Sequence, residues 1–423
     1  MRSPKAEWAS NTGVAFRLSH GIEITTRPPI PQAYEWAAAY VPTADRPLLD
    51  MSQGVPGVSP PKLLLDALGA TSSSPMSCGY VGNVGELSLR LAVVEDIKQK
   101  YGADADVTPD DLAITAGCNL AFVSVAIALA DAGDEMILPV PWYFNHEMSL
   151  TMLGIKPVSL ETSPEDGFMP SPERCAALIT PKTKAIVLVS PNNPTGAVYP
   201  PSLIRAFADV AAAHNVALII DETYRDFILS GAPHDLFLPR PSRPSWRSTF
   251  IHLYSFSKAY AIPGHRLGMI CAAPALITAV SIALDTIQIC APRPPQLALA
   301  PLLPTLRPFV QETARAVAHR HTLFKAALPQ HWKIGSQGGY YAFVRHPFRG
   351  RRATEVCQRL AKERGVVCLP AGIFAPKIED CSAGEDEERW IRFSVANVND
   401  QKVKLVCERL EESEVMFGWE LDT

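Results

Sequence analysis

The sequence predicts an α/β fold built around a parallel β-sheet. Three short apolar segments, residues 184–189, 216–220 and 250–256, are rich in branched and aromatic side chains and are typical of buried strands. Each is followed by polar residues, and open α/β sheets place ligands at the carboxyl ends of their strands. Because 423 residues exceed one typical domain, we expect two lobes.

The first of these strands leads into residues 190–196, Ser-Pro-Asn-Asn-Pro-Thr-Gly. Two prolines and a glycine force an irregular turn there. Asn193, held on such a turn, can donate a hydrogen bond to an oxygen on a ligand ring. Taken alone, the motif is equally well explained as a plain loop between a strand and a helix.

The second strand ends at Asp221, with Tyr224 three residues later. If the ligand is a hydroxypyridine ring, an aspartate at this position can pair with its protonated nitrogen, and the tyrosine can reach its phenolic oxygen. Taken alone, an aspartate that caps a helix is the simpler interpretation.

The third strand leads into Lys258, which is flanked by the hydroxyls of Ser255 and Ser257 and followed by Arg266. A lysine amine forms a Schiff base with an aldehyde, and arginine and hydroxyl groups hold a phosphate dianion. This combination predicts pyridoxal 5′-phosphate (PLP) as the cofactor. A lone lysine after a strand is usually a surface residue, but three strand ends that each suit one edge of the same cofactor outweigh that interpretation.

The order Asn-Pro-Thr-Gly, Asp-x-x-Tyr, Ser-x-x-Lys and then Arg resembles the class I/II aminotransferases, the aspartate aminotransferase-like group of the PLP fold-type I superfamily. The resemblance runs from about Gly54 to the end of the chain. It implies a large lobe with a mainly parallel seven-stranded sheet flanked by helices, and a smaller α+β lobe.

The resemblance also implies the activity of a PLP-dependent aminotransferase, which moves an amino group between an L-amino acid and a 2-oxo acid. Lys258 would hold the cofactor and then act as the base at the substrate's α-carbon, with Asp221 and Tyr224 as the other catalytic residues. A carbon–sulfur lyase or an enzyme like aminocyclopropanecarboxylate synthase needs the same residues, so both remain alternatives.

Two further cofactor contacts follow from the resemblance. Residues 111–114, a turn at 115–119 and an apolar run from 120 to 130 predict a strand, a turn and a helix. In the family, backbone amides of such a turn bind the phosphate, which implicates Gly117, Cys118 and Asn119. Tyr143 matches the aromatic residue that stacks on the pyridine, with Trp142 as the second choice.

The resemblance also implies residues that contact the substrate or a partner subunit. Arg392 would pair with the substrate α-carboxylate, beside Asn193, and Gly54 would allow close backbone approach. Tyr80 corresponds to a tyrosine that reaches the phosphate of the neighbouring subunit, so we expect a homodimer with shared active sites. Arg293 either binds a second substrate carboxylate or is an interface or surface arginine.

We expect three segments in the chain. Residues 1–59 form an N-terminal arm and part of the small domain, residues 60–305 the large PLP-binding domain and residues 306–423 the small C-terminal domain. The arm is rich in proline and aromatic residues, and we expect it to pack on the partner subunit.

Composition and charge bear on which partners and which cellular compartment we expect for the protein. The net charge of −4 gives no case for nucleic acid or anionic membrane as a partner. No run of about 18 uncharged apolar residues predicts a membrane span, and the first twenty residues contain no apolar signal segment. The nine cysteines form no C-x-x-C pair, so we expect a cytoplasmic protein without a metal site.

Overall fold

A computed structural model describes residues 16–241, 244–376 and 387–422 of the chain. The predicted arm therefore lies outside the described residues up to residue 15. The described strands form a seven-stranded sheet, a four-stranded sheet and a two-stranded pair.

The strands are numbered in chain order. They are β1 (Leu49–Asp50), β2 (Leu112–Thr115), β3 (Glu135–Val140), β4 (Lys156–Glu161), β5 (Thr183–Val189), β6 (Ala217–Asp221), β7 (Phe250–Ser255), β8 (Gly268–Cys271), β9 (Lys333–Gly338), β10 (Tyr341–Arg345), β11 (Val366–Val367), β12 (Leu369–Pro370) and β13 (Trp390–Ser394).

The α-helices are numbered in the same way. They are α1 (His20–Ile24), α2 (Pro29–Ala37), α3 (Lys62–Ser72), α4 (Leu87–Tyr101), α5 (Cys118–Leu129), α6 (Phe144–Met152), α7 (Pro172–Leu178), α8 (Pro201–His214), α9 (Phe256–Ala259), α10 (Pro274–Gln288), α11 (Arg293–Leu299), α12 (Leu303–Ala327), α13 (Ala353–Arg359) and α14 (Asp400–Met416).

The large sheet has the strand order β2-β8-β7-β6-β5-β3-β4. All neighbours are parallel except β8, which runs antiparallel to both β2 and β7. The predicted mainly parallel seven-stranded sheet is confirmed. The three strands that the sequence predicts are β5, β6 and β7, which lie side by side at its centre.

The large sheet is apolar on both faces, as expected for strands covered by helices. Along β5, Ile186 and Leu188 pack into one buried cluster, whereas Ala185 and Val187 pack into another on the opposite face. The strand alternation of side chains explains this division. Because both faces are buried, the sequences of these strands are almost continuously apolar.

The four-stranded sheet, in the order β12-β13-β10-β9, is antiparallel throughout and has its own apolar cluster. Helix α12 joins the two cores, because Leu306 near its start packs with the large sheet and Phe324 near its end packs with the small one. Among the helices of the described residues, none is both long and apolar enough to cross a membrane.

The described part of the arm packs on its own chain. Ala33 and Ala37 of α2 join a buried cluster with Phe144 of α6, Leu369 of β12 and Phe374. Packing of the arm on a partner subunit stays a prediction, because Tyr34 of this helix is 41% exposed and residues 1–15 lie outside the described ones. The first residues of α2 reach the rim of the large sheet, where they help to line a cavity.

Candidate active site

The carboxyl edge of the large sheet carries a cavity of about 320 Å³. Strands β5, β6 and β7 end at this edge, so Asn193, Asp221 and Lys258 follow them into the same space. Because β8 is antiparallel to β7, it starts at the edge where β7 ends, and this brings Arg266 there as well. The fold thus gathers residues from four separate segments.

Lys258 lies in α9, the single helical turn after β7, and its Nζ donates a hydrogen bond to the carbonyl oxygen of Gly54 at 2.7 Å. Burial, together with the positive charges of Arg266 and Arg392, lowers the pKa of Lys258 to about 8. About a tenth of this amine is therefore unprotonated at pH 7, far more than of an exposed lysine, and the unprotonated form is the one that acts as a nucleophile or a base.

Asp221 is the last residue of β6 and is buried. His146 of α6 lies behind it, with Nε2 at 3.3 Å from Oδ2, and stacks on Phe122 with ring centroids 4.0 Å apart. Burial raises the pKa of Asp221, but His146 and hydrogen bonds from Thr223 outweigh that effect, so its pKa lies below the ordinary value. The carboxylate is held negative, which suits a partner for a protonated ring nitrogen.

Arg266 lines the cavity together with Cys118 and Asn119, the first residues of α5, and Gly117 is the residue that precedes this helix. Gly117 has a φ of +91°, and a Cβ atom at this position would lie 2.1 Å from Nη2 of Arg266. The missing side chain therefore lets the guanidinium approach the amino end of a twelve-residue helix. At this end of the helix, the backbone N–H groups of Cys118 and Asn119 have no partner within the helix. Together with the positive charge of Arg266, they suit a phosphate.

Arg392 of β13 also lines the cavity and is buried. Its Nη1 donates to Oδ1 of Asn193 at 2.7 Å, and its Nη2 donates to the carbonyl oxygen of Ser52. The guanidinium lies over the ring of Tyr341, 4.6 Å from the centroid, and its Nε has no hydrogen-bond partner among the described residues. A fixed, incompletely bonded guanidinium suits a carboxylate.

Two tyrosines at the cavity have fixed hydroxyl groups. The hydroxyl of Tyr224 lies 2.6 Å from that of Tyr341, and burial followed by this neighbour raises the pKa of Tyr224 well above its ordinary value. Tyr143 accepts a hydrogen bond from Asn145 at 2.8 Å and donates one to Asn119 at 3.3 Å. Trp142, the alternative to Tyr143, packs in the core and does not line the cavity.

Most of the predicted site residues line this one cavity. They are Gly54, Cys118, Asn119, Tyr143, Asn193, Asp221, Tyr224, Ser255, Ser257, Lys258, Arg266 and Arg392, and Gly117 lies directly behind Arg266. Ser255 caps α9 by accepting a hydrogen bond from the backbone N–H of Ser257. Cys118 is buried with a raised pKa, first because of its burial, which fits a packing role.

Two predicted residues lie elsewhere in the chain. Tyr80 is 78% exposed and does not line the cavity of its own chain. Arg293 pairs through Nε with Glu86 at 2.5 Å and donates from Nη1 to the carbonyl oxygen of Met76 at 2.6 Å. It therefore braces the segment that carries Tyr80.

Sequence reasoning did not assign roles to His146, Tyr341 or the residues at the start of α2. His146 follows the predicted stacking residue by three positions, which is the only signal that pointed to it. Tyr341 stands in an aromatic stretch, residues 340–343, that carries none of the motifs described above. The start of α2 carried no signal for this site.

The donor set fits PLP. Lys258 offers an amine with a lowered pKa, and Asp221 offers a buried carboxylate for a pyridine nitrogen. Arg266 and the start of α5 offer donors for a phosphate, and Tyr224 and Asn193 offer polar groups for the phenolic oxygen. These groups converge on one cavity from different elements, which a chance cluster of surface residues would not do.

Comparison with known proteins agrees with this assignment. Residues 47–410 match the family described as aminotransferase class I and II. A probable aspartate/prephenate aminotransferase from Thermus aquaticus is 35% identical over 234 residues, which are 55% of this chain and 59% of that protein. The aromatic-amino-acid aminotransferase 2 of Thermococcus litoralis is 27% identical over 88% of this chain and 95% of its own length.

The fold is also that of solved members of this group. The aspartate aminotransferase from Thermus thermophilus, solved with maleate, superposes with a TM-score of 0.81 at 26% identity. The match covers 94% of this chain and 99% of that one. The sheet, the second lobe and the cavity at the sheet edge therefore belong to the PLP fold-type I architecture.

Proposed function

This chain belongs to the class I and II aminotransferases, and from that membership we propose that it is a PLP-dependent aminotransferase. It would move an amino group between an L-amino acid and a 2-oxo acid. The observation that carries the proposal is the cavity that Lys258 shares with Arg392, which suits a carboxylate, and with Arg266, which suits a phosphate.

Each residue then has a defined role. When bound, the cofactor supplies an aldehyde for Lys258 and a ring that accepts electron density from the substrate's α-carbon. Arg392, oriented by Asn193, binds the substrate carboxylate and fixes the α-carbon. The Lys258 amine would take the proton from the substrate's α-carbon and give it up at the carbon of the former aldehyde, while the negative charge of Asp221 would keep the ring nitrogen protonated.

The proposal is tested by amino-group transfer with purified protein, PLP, an amino acid and a 2-oxo acid. We expect the new amino acid to form in proportion to the protein and Lys258→Ala to abolish its formation. Full turnover by Lys258→Ala would exclude the proposed role of the lysine. The relatives' names are those of aminotransferases, so they do not favour the lyase or aminocyclopropanecarboxylate synthase alternatives.

We also propose a homodimer with shared active sites. Tyr80 does not line its own chain's cavity, and the surrounding sequence, residues 76–91, carries exposed apolar side chains, which are characteristic of an interface. Met76 is 74% exposed, Leu87 54% and Leu91 50%. These residues support an interface that would carry Tyr80 toward the cofactor of a second copy.

The cytoplasm is the proposed location. All eight cysteines within the described residues are free thiols. The sulfur atoms of Cys357 and Cys368 lie only 3.6 Å apart without forming a disulfide. Reduced neighbouring thiols support a reducing compartment.

A further inference from the structure

The charges that line the cavity are few, and each already has a partner or a role. Among the described residues, the charged groups that line it are Asp221, Lys258, Arg266 and Arg392. Asp221 faces His146, Arg266 lies at the start of α5, and Arg392 is held by Asn193 and Ser52. Once the cofactor and the substrate α-carboxylate are bound, these groups leave no cation or carboxylate for a charged substrate side chain.

Arg293 does not supply the missing charge. Its Nε pairs with Glu86 at 2.5 Å and its Nη1 donates to the carbonyl oxygen of Met76 at 2.6 Å. To bind a second substrate carboxylate, in the site of its own chain or in that of a second copy, it would have to leave Glu86, an existing carboxylate partner. Arg27, which precedes the start of α2, is exposed and does not line the cavity.

The part of the wall without an assigned role is uncharged. Pro28, Pro29 and Ile30, at the start of α2, line the cavity together with Gln53 and Asn145. Helix α2 is held in place by its buried contacts with Phe144 and Phe374. This wall offers apolar surface and amide groups, but it offers no group of opposite charge to a carboxylate or an ammonium.

We propose that the amino-acid donor of this enzyme has an uncharged side chain, and that Ile30 and its neighbours at the start of α2 contact that side chain. This inference rests on the proposed aminotransferase function and refines it. Burying a substrate charge without a partner is costly, so aspartate, glutamate and lysine would bind poorly compared with leucine, methionine or phenylalanine.

The test is a donor half-reaction, in which PLP-loaded protein is mixed with one amino acid and no 2-oxo acid. The rate of conversion of the cofactor to its amine form, divided by amino-acid concentration, gives a specificity constant for each donor. We expect the best of leucine, methionine and phenylalanine to exceed aspartate, glutamate and lysine by at least tenfold. Aspartate or glutamate as the best donor would overturn this inference but leave the proposed function intact.

Two variants test whether Ile30 contacts the side chain of the amino-acid donor. Ile30→Arg adds a cation and should raise the ratio of aspartate to leucine at least tenfold, whereas Ile30→Met, the matched control, should change that ratio less than threefold. The α-carboxylate is common to both donors, so the ratio isolates the side chain. An unchanged ratio in Ile30→Arg would remove Ile30 from the wall. If no amino acid converts the cofactor, the proposed function fails and this inference fails with it.

Discussion

Lys258 illustrates how position alone changes the chemistry of a residue. An exposed lysine is almost fully protonated at neutral pH. Here burial and two nearby arginines disfavour the charged form and bring its pKa to about 8. The same two arginines suit the phosphate and the substrate carboxylate, so the groups proposed to bind ligands also activate the amine.

We predict that the rate at which the apoprotein captures PLP rises with pH and levels off above about pH 8. The amine is the reactive form, and lowering its pKa moves the end of the rise down from the ordinary lysine range. Stopped-flow absorbance between pH 6 and 10 measures this rate. A rate that still rises steeply from pH 9 to pH 10 would contradict the lowered pKa.

His146 is predicted to support the charge of Asp221. Replacing it with alanine removes a hydrogen-bond donor from a buried carboxylate, so the pKa of Asp221 should rise and turnover should fall by about tenfold. His146→Gln retains a donor and is the matched control, with a smaller expected loss. Equal activity of the alanine variant and the unmodified protein, measured as amino-group transfer, would show that Asp221 does not depend on His146.

Arg392 is predicted to act in substrate binding. Arg392→Lys keeps the positive charge but loses the two-pronged geometry and the hydrogen bond to Asn193. We expect KM for the amino acid to rise at least tenfold, while the absorbance of the bound cofactor stays unchanged. Steady-state kinetics and a visible spectrum measure the two quantities, and an unchanged KM would remove Arg392 from the substrate site.

The sequence was informative where function demands a particular residue type at a strand end, as at Asn193, Asp221 and Lys258. It did not identify site residues whose contacts are with residues far away in the sequence. His146 becomes part of the site only because α6 lies against the end of β6, and Tyr341 only because β10 of the small sheet lies against Tyr224. No local pattern around either residue encodes that proximity.

Among the elements, the antiparallel strand β8 determines where Arg266, the proposed phosphate ligand, lies. Its reversal places Arg266 at the edge where β7 and β2 end, beside Gly117. The sequence predicted the strand ends of β5, β6 and β7, but strand direction depends on how the connection folds back. The direction of β8 could therefore come only from the resemblance or from the structure.

Helix α2 is linked to Arg392 by a short chain of hydrogen bonds. Tyr34 donates to Oδ2 of Asp50 at 2.7 Å, and Oδ1 of Asp50 accepts from the backbone N–H and the hydroxyl of Ser52 at 2.9 and 2.6 Å. The carbonyl oxygen of Ser52 accepts from Arg392. The wall helix and the carboxylate-binding residue are therefore positioned by the same segment.

We predict that Tyr34→Phe raises KM for the amino acid about threefold and leaves kcat unchanged, since one exposed hydrogen bond contributes about 0.5–1 kcal/mol. Tyr40→Phe is the matched control. It removes a hydrogen bond to the carbonyl oxygen of Arg46 that has no link to Arg392. Steady-state kinetics separate the two parameters, and equal KM values in both variants would show that Tyr34 does not position the site.

At the scale of the whole molecule, we propose that the chain divides at about residues 59 and 305. Met51 packs with the small sheet and Leu64 with the large one, which supports the first boundary. The second boundary falls inside α12, whose two ends belong to different cores. A helix that spans both cores gives the lobes a continuous connection, which a composition-based boundary does not reveal.

The shared-site dimer predicts complementation between two inactive chains. Mixed dimers of Lys258→Ala and Tyr80→Ala chains would contain one site with both residues intact, so a co-refolded equal mixture should recover about a quarter of the unmodified activity. Each variant refolded alone is the control. An activity equal to the average of the two controls would show that Tyr80 does not act on a neighbouring subunit.

The aminotransferase function is tested most directly by the visible absorbance of the PLP-loaded protein, titrated with single amino acids in the absence of a 2-oxo acid. We expect stoichiometric conversion of the cofactor to its amine form and release of one matching 2-oxo acid per site. A return to the starting spectrum with release of ammonia or a thiol would contradict this expectation and identify a lyase on the same fold.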